Sequence, residues 1–349
     1  MRCLSVIAAL GIGLAGIALA GIALAAPASA LADGGPALPV QGGSGISAPG
    51  SQYRYVAVRA GREATVVERL RGGGVPEGRA SIRVRGDYGI PGVGSGGQLT
   101  GLAADGRTLV LAELFGGAVP RTTRLLVVDT PWLAVRARIA LPGWSIVDAI
   151  SPDGRWLYLI HYPSGGNVSR YEVLAYNLVT RRMLPRPIVD PHDDDDENAM
   201  AGFPVTRVTS ADSRWAYTLY IRASGAPFIH ALDTVGVRAV CVDLPSSFAQ
   251  LDIGDAHLDL GAGGKRIRIV VDGEAQAVVD TRTFATTVVH STPLITESTF
   301  TTPAPAGHTV ARVAGARDSG GLPWELILAA AVLAVIGGAV RLRTGLRAR

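Results

Sequence analysis

The chain alternates short apolar runs with polar turns, and one such unit recurs. Leu102-AADGRTLVLAEL, Ile150-SPDGRWLYLIHY, Thr209-SADSRWAYTLYI and the degenerate Leu260-GAGGKRIRIVVD each set a tight polar turn before an apolar run. The turn residues Asp105, Asp153, Asp212 and Gly263 lie 48, 59 and 51 positions apart. A second apolar run follows each and closes on a polar turn, in Leu126-VVDT, Leu174-AYNL, His230-ALDT and Ala277-VVDT. A third short run comes next, as in Val135-RARIALP and Val237-RAVCVDLP. Several short strands repeated every ~50 residues are the spacing of propeller blades. Residues 53–90, with Tyr55-VAV, Thr65-VVERL and Ser81-IRVRGDYGIP, fit the latter part of one more unit, so about five units are expected between 53 and 290. Helical periodicity is missing from this region, and the predicted class is all-β.

The chemistry of the unit explains its shape. In Ser151-Pro152-Asp153-Gly154 the proline fixes φ, the aspartate bonds to nearby backbone and the glycine accepts positive φ, so the chain reverses. The strand that follows, Trp156 to Ile160, is apolar on both faces. That pattern belongs to sheets stacked against neighbours on two sides. Trp156 and Trp215 hold equivalent positions in the repeat and are expected to pack in cores.

These segments resemble the YVTN and WD40-like β-propeller repeats of exported bacterial proteins, over roughly residues 91–290. Ser151-PDGRWLYLI, Tyr217-TLY and Pro227-FIHALDT look in particular like membrane-anchored propeller proteins of actinobacteria. The resemblance implies a β-propeller and is nearly silent on activity, because propellers serve as enzymes, receptors and scaffolds alike. Asp212-Ser213 and Gly263-Gly264 depart from the turn pattern, and five units is a low number for a ring. Closed, open and incomplete propellers all fit.

The two ends read differently. Residues 1–30 open with Arg2, run uncharged from Leu4 to Ala26 and finish in Ala28-Ser29-Ala30, a secretory signal peptide by pattern. Residues 31–51 form a Gly, Ala and Pro-rich linker without expected structure, and 52–290 the propeller. Residues 291–321 are rich in Thr, Pro, Ala and Gly and read as a stalk. Leu322 to Val340 is a transmembrane helix by length and hydropathy, with Trp324 at its outer edge. The tail 341–349 carries Arg341, Arg343, Arg347 and Arg349, which places it in the cytoplasm and the bulk of the chain outside, in a single-pass arrangement.

Charge narrows the partners. Of 33 basic and 29 acidic residues, five arginines and Glu325 belong to the membrane-linked ends, leaving 28 of each sign. A neutral ectodomain carries no electrostatic footprint for nucleic acid, despite a pI near 9.3. Cys3 falls in the leader and leaves Cys241 alone, so the mature chain has no internal disulfide and Cys241 reads as a small buried hydrophobe.

No residue presents itself as catalytic. The acidic run Asp193, Asp194, Asp195, Asp196 and Glu197, after His192, holds the candidate metal ligands. Consecutive aspartates point in different directions and lack the alternating spacing and glycine of a calcium loop, so a solvated, self-repelling loop is the first reading and a calcium site the second. No other cofactor is indicated. His161, His192, His230, His257, His290 and His308 share no HExxH pattern or cysteine partner. His230, between Ile229 and Ala231, reads as a hydrogen-bonded sheet residue. There is no G-x-S-x-G elbow, and the glycine clusters 94–97 and 261–264 lack the Lys-Ser/Thr pair of a P-loop. The leading expectation is a membrane-anchored extracellular binding module for a protein, glycan or small molecule. The alternatives are a lactonase-type propeller hydrolase, built from Asp148, Glu172, Asp190, His161 and His230 drawn together from separate blades, and a passive envelope component.

Overall fold

The computed structural model describes residues 37–72, 80–95, 97–116, 119–165, 167–191, 200–222 and 225–289. The predicted signal peptide, stalk, transmembrane helix and tail, together with His192, the acidic run 193–197, His290 and His308, lie outside the described residues. Among the described residues no helix is long and apolar enough to cross a membrane, and the helical element is a 3-10 turn at Ser246–Gln250.

The strands fall into five antiparallel sheets whose hydrogen-bonded order follows chain order, and a small hairpin interrupts the second. Sheet 1 holds β1 (Ile46–Ser47), β2 (Tyr53–Arg59), β3 (Ala64–Arg71) and β4 (Ala80–Arg85). Its first strand comes from the segment read as a linker. Sheet 2 opens with β5 (Tyr88–Gly89), breaks for the hairpin β6 (Gly92–Val93) and β7 (Gln98–Leu99), then continues with β8 (Thr108–Glu113), β9 (Thr122–Asp129) and β10 (Ala134–Pro142). Sheet 3 holds β11 (Trp144–Ile150), β12 (Trp156–Tyr162), β13 (Arg170–Asn177) and β14 (Arg182–Met183), with β15 (Met200–Ala201) on the far part of β13. Sheet 4 holds β16 (Phe203–Thr209), β17 (Trp215–Ile221), β18 (Phe228–Asp233) and β19 (Arg238–Asp243). Sheet 5 holds β20 (His257–Leu260), β21 (Arg266–Val271), β22 (Glu274–Asp280) and β23 (Thr286–Val288).

The repeated turns account for this order. In four sheets the polar turn before the second strand closes by the same hydrogen bond, to the first residue from the fourth: Gly106 N to Ala103 O, Gly154 N to Ser151 O, Ser213 N to Ser210 O and Gly264 N to Gly261 O. The fourth residue takes φ between 57° and 69° in each, so Ser213 occupies the place that glycine fills elsewhere. The turn between third and fourth strands, Asp-Thr in three sheets and Asn177-Leu178 in sheet 3, is equally regular. The backbone N–H of Thr130, Leu178, Thr234 and Thr281 bonds back to the first turn of the same sheet, and Asp233, Asn177 and Asp280 accept the next free backbone N–H groups through their side chains.

Two-sided burial follows from stacking. Leu109 and Leu111 pack toward sheet 1, whereas Val110 between them packs toward sheet 3. Leu157 and Leu159 face sheet 2, Tyr158 and Ile160 face sheet 4, and Tyr217 and Leu219 face sheet 5. Each fully buried aliphatic side chain of this kind contributes ~1.5–3 kcal/mol, so each sheet is held chiefly by its neighbours. The four hydrophobic clusters fill the gaps 1–2, 2–3, 3–4 and 4–5, and among the described residues no cluster joins sheet 5 to sheet 1. Parts of the end sheets show it: β4 and the first half of β21, Arg266-Ile-Arg-Ile, alternate more and less exposed residues instead of burying both faces.

Candidate functional site

Between sheets 3 and 4 a row of polar side chains crosses an otherwise apolar gap. Strand register lines up Arg207 on β16, Thr218 on β17, His230 on β18 and Cys241 on β19. By the two-residue period all four share the face turned to sheet 3. Opposite them, β11 carries a bulge between Val147 and Ala149, and Asp148 is the inserted residue. A bulge re-aims the side chain it inserts, and here it brings the Asp148 carboxylate to the Arg207 guanidinium. Arg207 donates Nη2 to Asp148 Oδ1, Nη1 to the Asp148 carbonyl and Nε to Thr218 Oγ1, the last at 2.8 Å. At the outer end of the row the Cys241 N–H donates to Asp190 Oδ2 at 2.7 Å.

The row is only partly satisfied. Asp148 Oδ2, both ring nitrogens of His230 and the hydroxyls of Tyr171 and Tyr220 are buried without a hydrogen-bond partner. His230 was read as a satisfied sheet residue; the structure buries it completely and meets its ring with the edge of Tyr220, at 6.1 Å between centroids. Burial drives its pKa down to about 4, against the opposing pull of Asp148 and with a further push from Arg207, so the imidazole is neutral at pH 7. Burial likewise raises the Tyr171 and Tyr220 hydroxyls well above their usual range. Tyr171 and Tyr220, both fully buried, stack at 5.1 Å in the same gap.

The five residues that would have built a hydrolase do not converge. His161 and Glu172 are cross-strand partners on the face of sheet 3 turned to sheet 2, where His161 Nδ1 meets Ser145 Oγ at 3.0 Å. Asp148, Asp190 and His230 belong to the opposite gap. Among the described residues no group of three or more His, Cys, Asp or Glu is placed to hold a metal ion.

The inner strands are bridged by the β6–β7 hairpin, which packs on β11 and β16. Ser95 Oγ donates to Val205 O at 3.1 Å, Gln98 Nε2 to Thr206 Oγ1 at 3.2 Å and Thr100 Oγ1 to Asp148 O at 3.3 Å. Gly94 takes φ of 70° so close to β16 that a Cβ there would sit 2.4 Å from Val205 O. The hairpin therefore ties the bulged strands β11 and β16 together.

Open space lies instead between sheets 1 and 2. A cavity of about 350 Å³ is lined by Tyr53, Tyr55 and Arg69 from sheet 1, by the turn 104–107 that precedes β8, and by Thr130 and Pro131 from the turn after β9. Arg69 Nη1 donates to Thr130 O at 3.2 Å and Pro131 O at 3.1 Å, and its guanidinium lies 5.1 Å from the Tyr53 ring centre. These contacts fix the arginine in the wall, while its Nε is buried without an acceptor. Trp132, next in the chain to Pro131, is 80% exposed. An indole that wet is unusual for so large an apolar group.

Asp148 and His230 were named from the sequence for a site that does not form, and the 193–197 run lies outside the described residues. Arg207 is not among the sequence-based candidates, although an arginine inside the run Phe203-Pro-Val-Thr-Arg-Val is a visible signal of a buried charge. The cavity residues sit on separate turns whose approach depends on how sheets 1 and 2 pack, and nothing in their local spacing announces it.

No protein-family model matches the chain, and no curated protein does. Among solved structures, TolB from Acinetobacter baumannii is similar at 11% identity and a TM-score of 0.39, over 67% of this chain and 50% of that one. An oligogalacturonate lyase is similar at 13% identity and a TM-score of 0.43, over 70% and 63%. The Dos1 propeller is similar at 11% identity and a TM-score of 0.39, over 71% and 59%. The chain spans about half the length of the TolB structure.

Proposed function

We propose that this chain is an exported, membrane-anchored binding module. Its five stacked sheets form an open β-propeller, held outside the membrane on the 291–321 stalk by the 322–340 helix, and the ligand enters the cavity between sheets 1 and 2. The observation that carries this reading is the cavity itself: about 350 Å³, walled by Tyr53, Tyr55 and Arg69, with the exposed Trp132 one residue beyond its wall. That volume is at the low end of the ~300–1,000 Å³ of ligand pockets, and aromatic and arginine side chains are the residues that dominate binding surfaces. Catalysis is disfavoured by the separation of His161 and Glu172 from Asp148, Asp190 and His230 onto opposite faces of sheet 3.

The test uses the full chain in detergent, screened against glycan, peptide and small-molecule sets beside a Ser51→Trp variant that fills the cavity from its exposed wall. At least one class is expected to bind and to lose binding in the variant. Ligands that bind both proteins equally, or none at all, would overturn the cavity reading. Protease added to intact cells should remove residues 37–289 while sparing the tail; protection of that segment would overturn the orientation.

A further inference from the structure

We infer that the cavity between sheets 1 and 2 takes an acidic saccharide, a sugar ring that bears a carboxylate. This rests on the binding-module reading. Two observations set the ligand's charge. Arg107, in the turn that forms one wall, is exposed, and its guanidinium has no acceptor among the described residues. Arg69, in the opposite wall, spends Nη1 on two carbonyls and adds its positive charge to the lining. Asp105 is the one acid in the lining, and its Oδ1 is turned to the Arg107 backbone N–H at 2.8 Å. Two guanidinium groups against one carboxylate leave the lining with net positive charge, and the exposed Arg107 guanidinium can pair a ligand carboxylate through two parallel hydrogen bonds.

Two further observations set its shape. Tyr53, half-buried, lines the cavity with an aromatic side chain, and Trp132, next in the chain to the lining residue Pro131, offers an exposed indole. Flat, amphipathic rings suit the apolar C–H faces of a sugar, while their polar edges and the carbonyls of the turns suit its hydroxyls. The walls are turns and the mutually paired strands β2 and β3, not an unpaired strand edge, so an extended peptide finds no ladder to join.

The test titrates the full chain in detergent with a glucuronate-containing disaccharide, its glucose counterpart, acetate and an acidic dipeptide, read by calorimetry and indole fluorescence. The acidic disaccharide is expected to bind at least tenfold tighter than the neutral one. Arg107→Gln should erase that margin, Arg107→Lys should keep part of it, and Trp132→Ala should weaken both sugars alike. Arg107 and Trp132 are exposed, and unchanged melting temperatures confirm folding. Equal affinity for acidic and neutral sugars, acetate or dipeptide binding as tight as the disaccharide, no disaccharide binding, or indifference to Arg107→Gln would each overturn the inference. If another class binds and is lost in Ser51→Trp, the binding module stands and the saccharide falls; if nothing is lost there, both fall.

Discussion

Asp148 and Arg207 pair across the gap between sheets 3 and 4 with both side chains cut off from solvent. The pair exists because a bulge inserts Asp148 into β11 and because β16 carries an arginine at the facing position. A buried charge that loses its partner costs ~3–5 kcal/mol, whereas replacing both by apolar groups of similar volume is often neutral or better. Asp148→Leu or Arg207→Met alone should therefore lower urea stability by roughly that amount. The double variant should recover most of the loss, and simple additivity of the two losses would contradict the coupling.

His230 gives the fold an acid limit. The folded imidazole titrates at about 4 because it is buried, while the unfolded one titrates near 6.5. Between those values the unfolded chain binds a proton that the folded chain refuses, so stability is intact above pH 6.5 and declines as pH falls toward 4. The decline is ~1.4 kcal/mol per pH unit and about 3 kcal/mol in all. Asp148, Arg207 and Asp190 act on the same ring, and Tyr220 packs against it at a near-right angle. In His230→Leu the slope of stability against pH over this window should flatten, as read from denaturant midpoints at pH 7, 5.5 and 4.5. Asp233 acts lower: Arg214 and the Gly236 N–H hold its carboxyl down at about 2, and its contribution goes only as pH falls from 4 toward that value.

The recurring turn can be improved at one copy and damaged at another. Ser213 holds φ of 57° where the equivalent residues are glycine, so Ser213→Gly should stabilise by ~0.5–1 kcal/mol through relief of left-handed backbone strain. Gly154→Ala should do the opposite, by ~1–2 kcal/mol, because its Cβ would lie 2.6 Å from Thr108 Oγ1 as well as at positive φ. Thermal melts of the two variants moving in the same direction would refute the equivalence of the turns.

The hairpin over the inner strands is testable through Gly94→Ala. The added methyl meets the Val205 carbonyl at 2.4 Å, so the hairpin must withdraw and release the Ser95, Gln98 and Thr100 contacts. A loss of ~2 kcal/mol is expected, with faster amide exchange in β11 and β16; unchanged exchange there would mean that the hairpin does not hold them.

Much of this architecture was legible in the chain. The turn segments around Asp105, Asp153, Asp212 and Gly263 predicted where second strands begin, because proline, aspartate and glycine act locally and carry their geometry with them. Two-sided apolar runs such as Trp156 to Ile160 predicted stacked sheets for the same reason. The polar row was not legible: Asp148 reaches Arg207 only through a bulge, and a bulge depends on the partner strand. Nor was the cavity, since Tyr53, Arg107 and Pro131 come from two sheets and meet only after packing. The role of β1 was hidden by composition, as the glycines around Ile46 conceal a strand whose partner Tyr55 supplies the hydrophobic surface.

Sheets 2, 3 and 4 each share two apolar seams, whereas sheets 1 and 5 share one apiece. Cooperativity in such a stack passes from neighbour to neighbour, and its outermost members are tethered from a single side. Opening of the native state is accordingly expected to start at either extremity and to reach the two inner seams, that of Asp148–Arg207 among them, after the outer ones. The proposed ligand cavity, at the seam joining sheet 1 to the rest, would then lie where occupancy most readily restrains a loosening end.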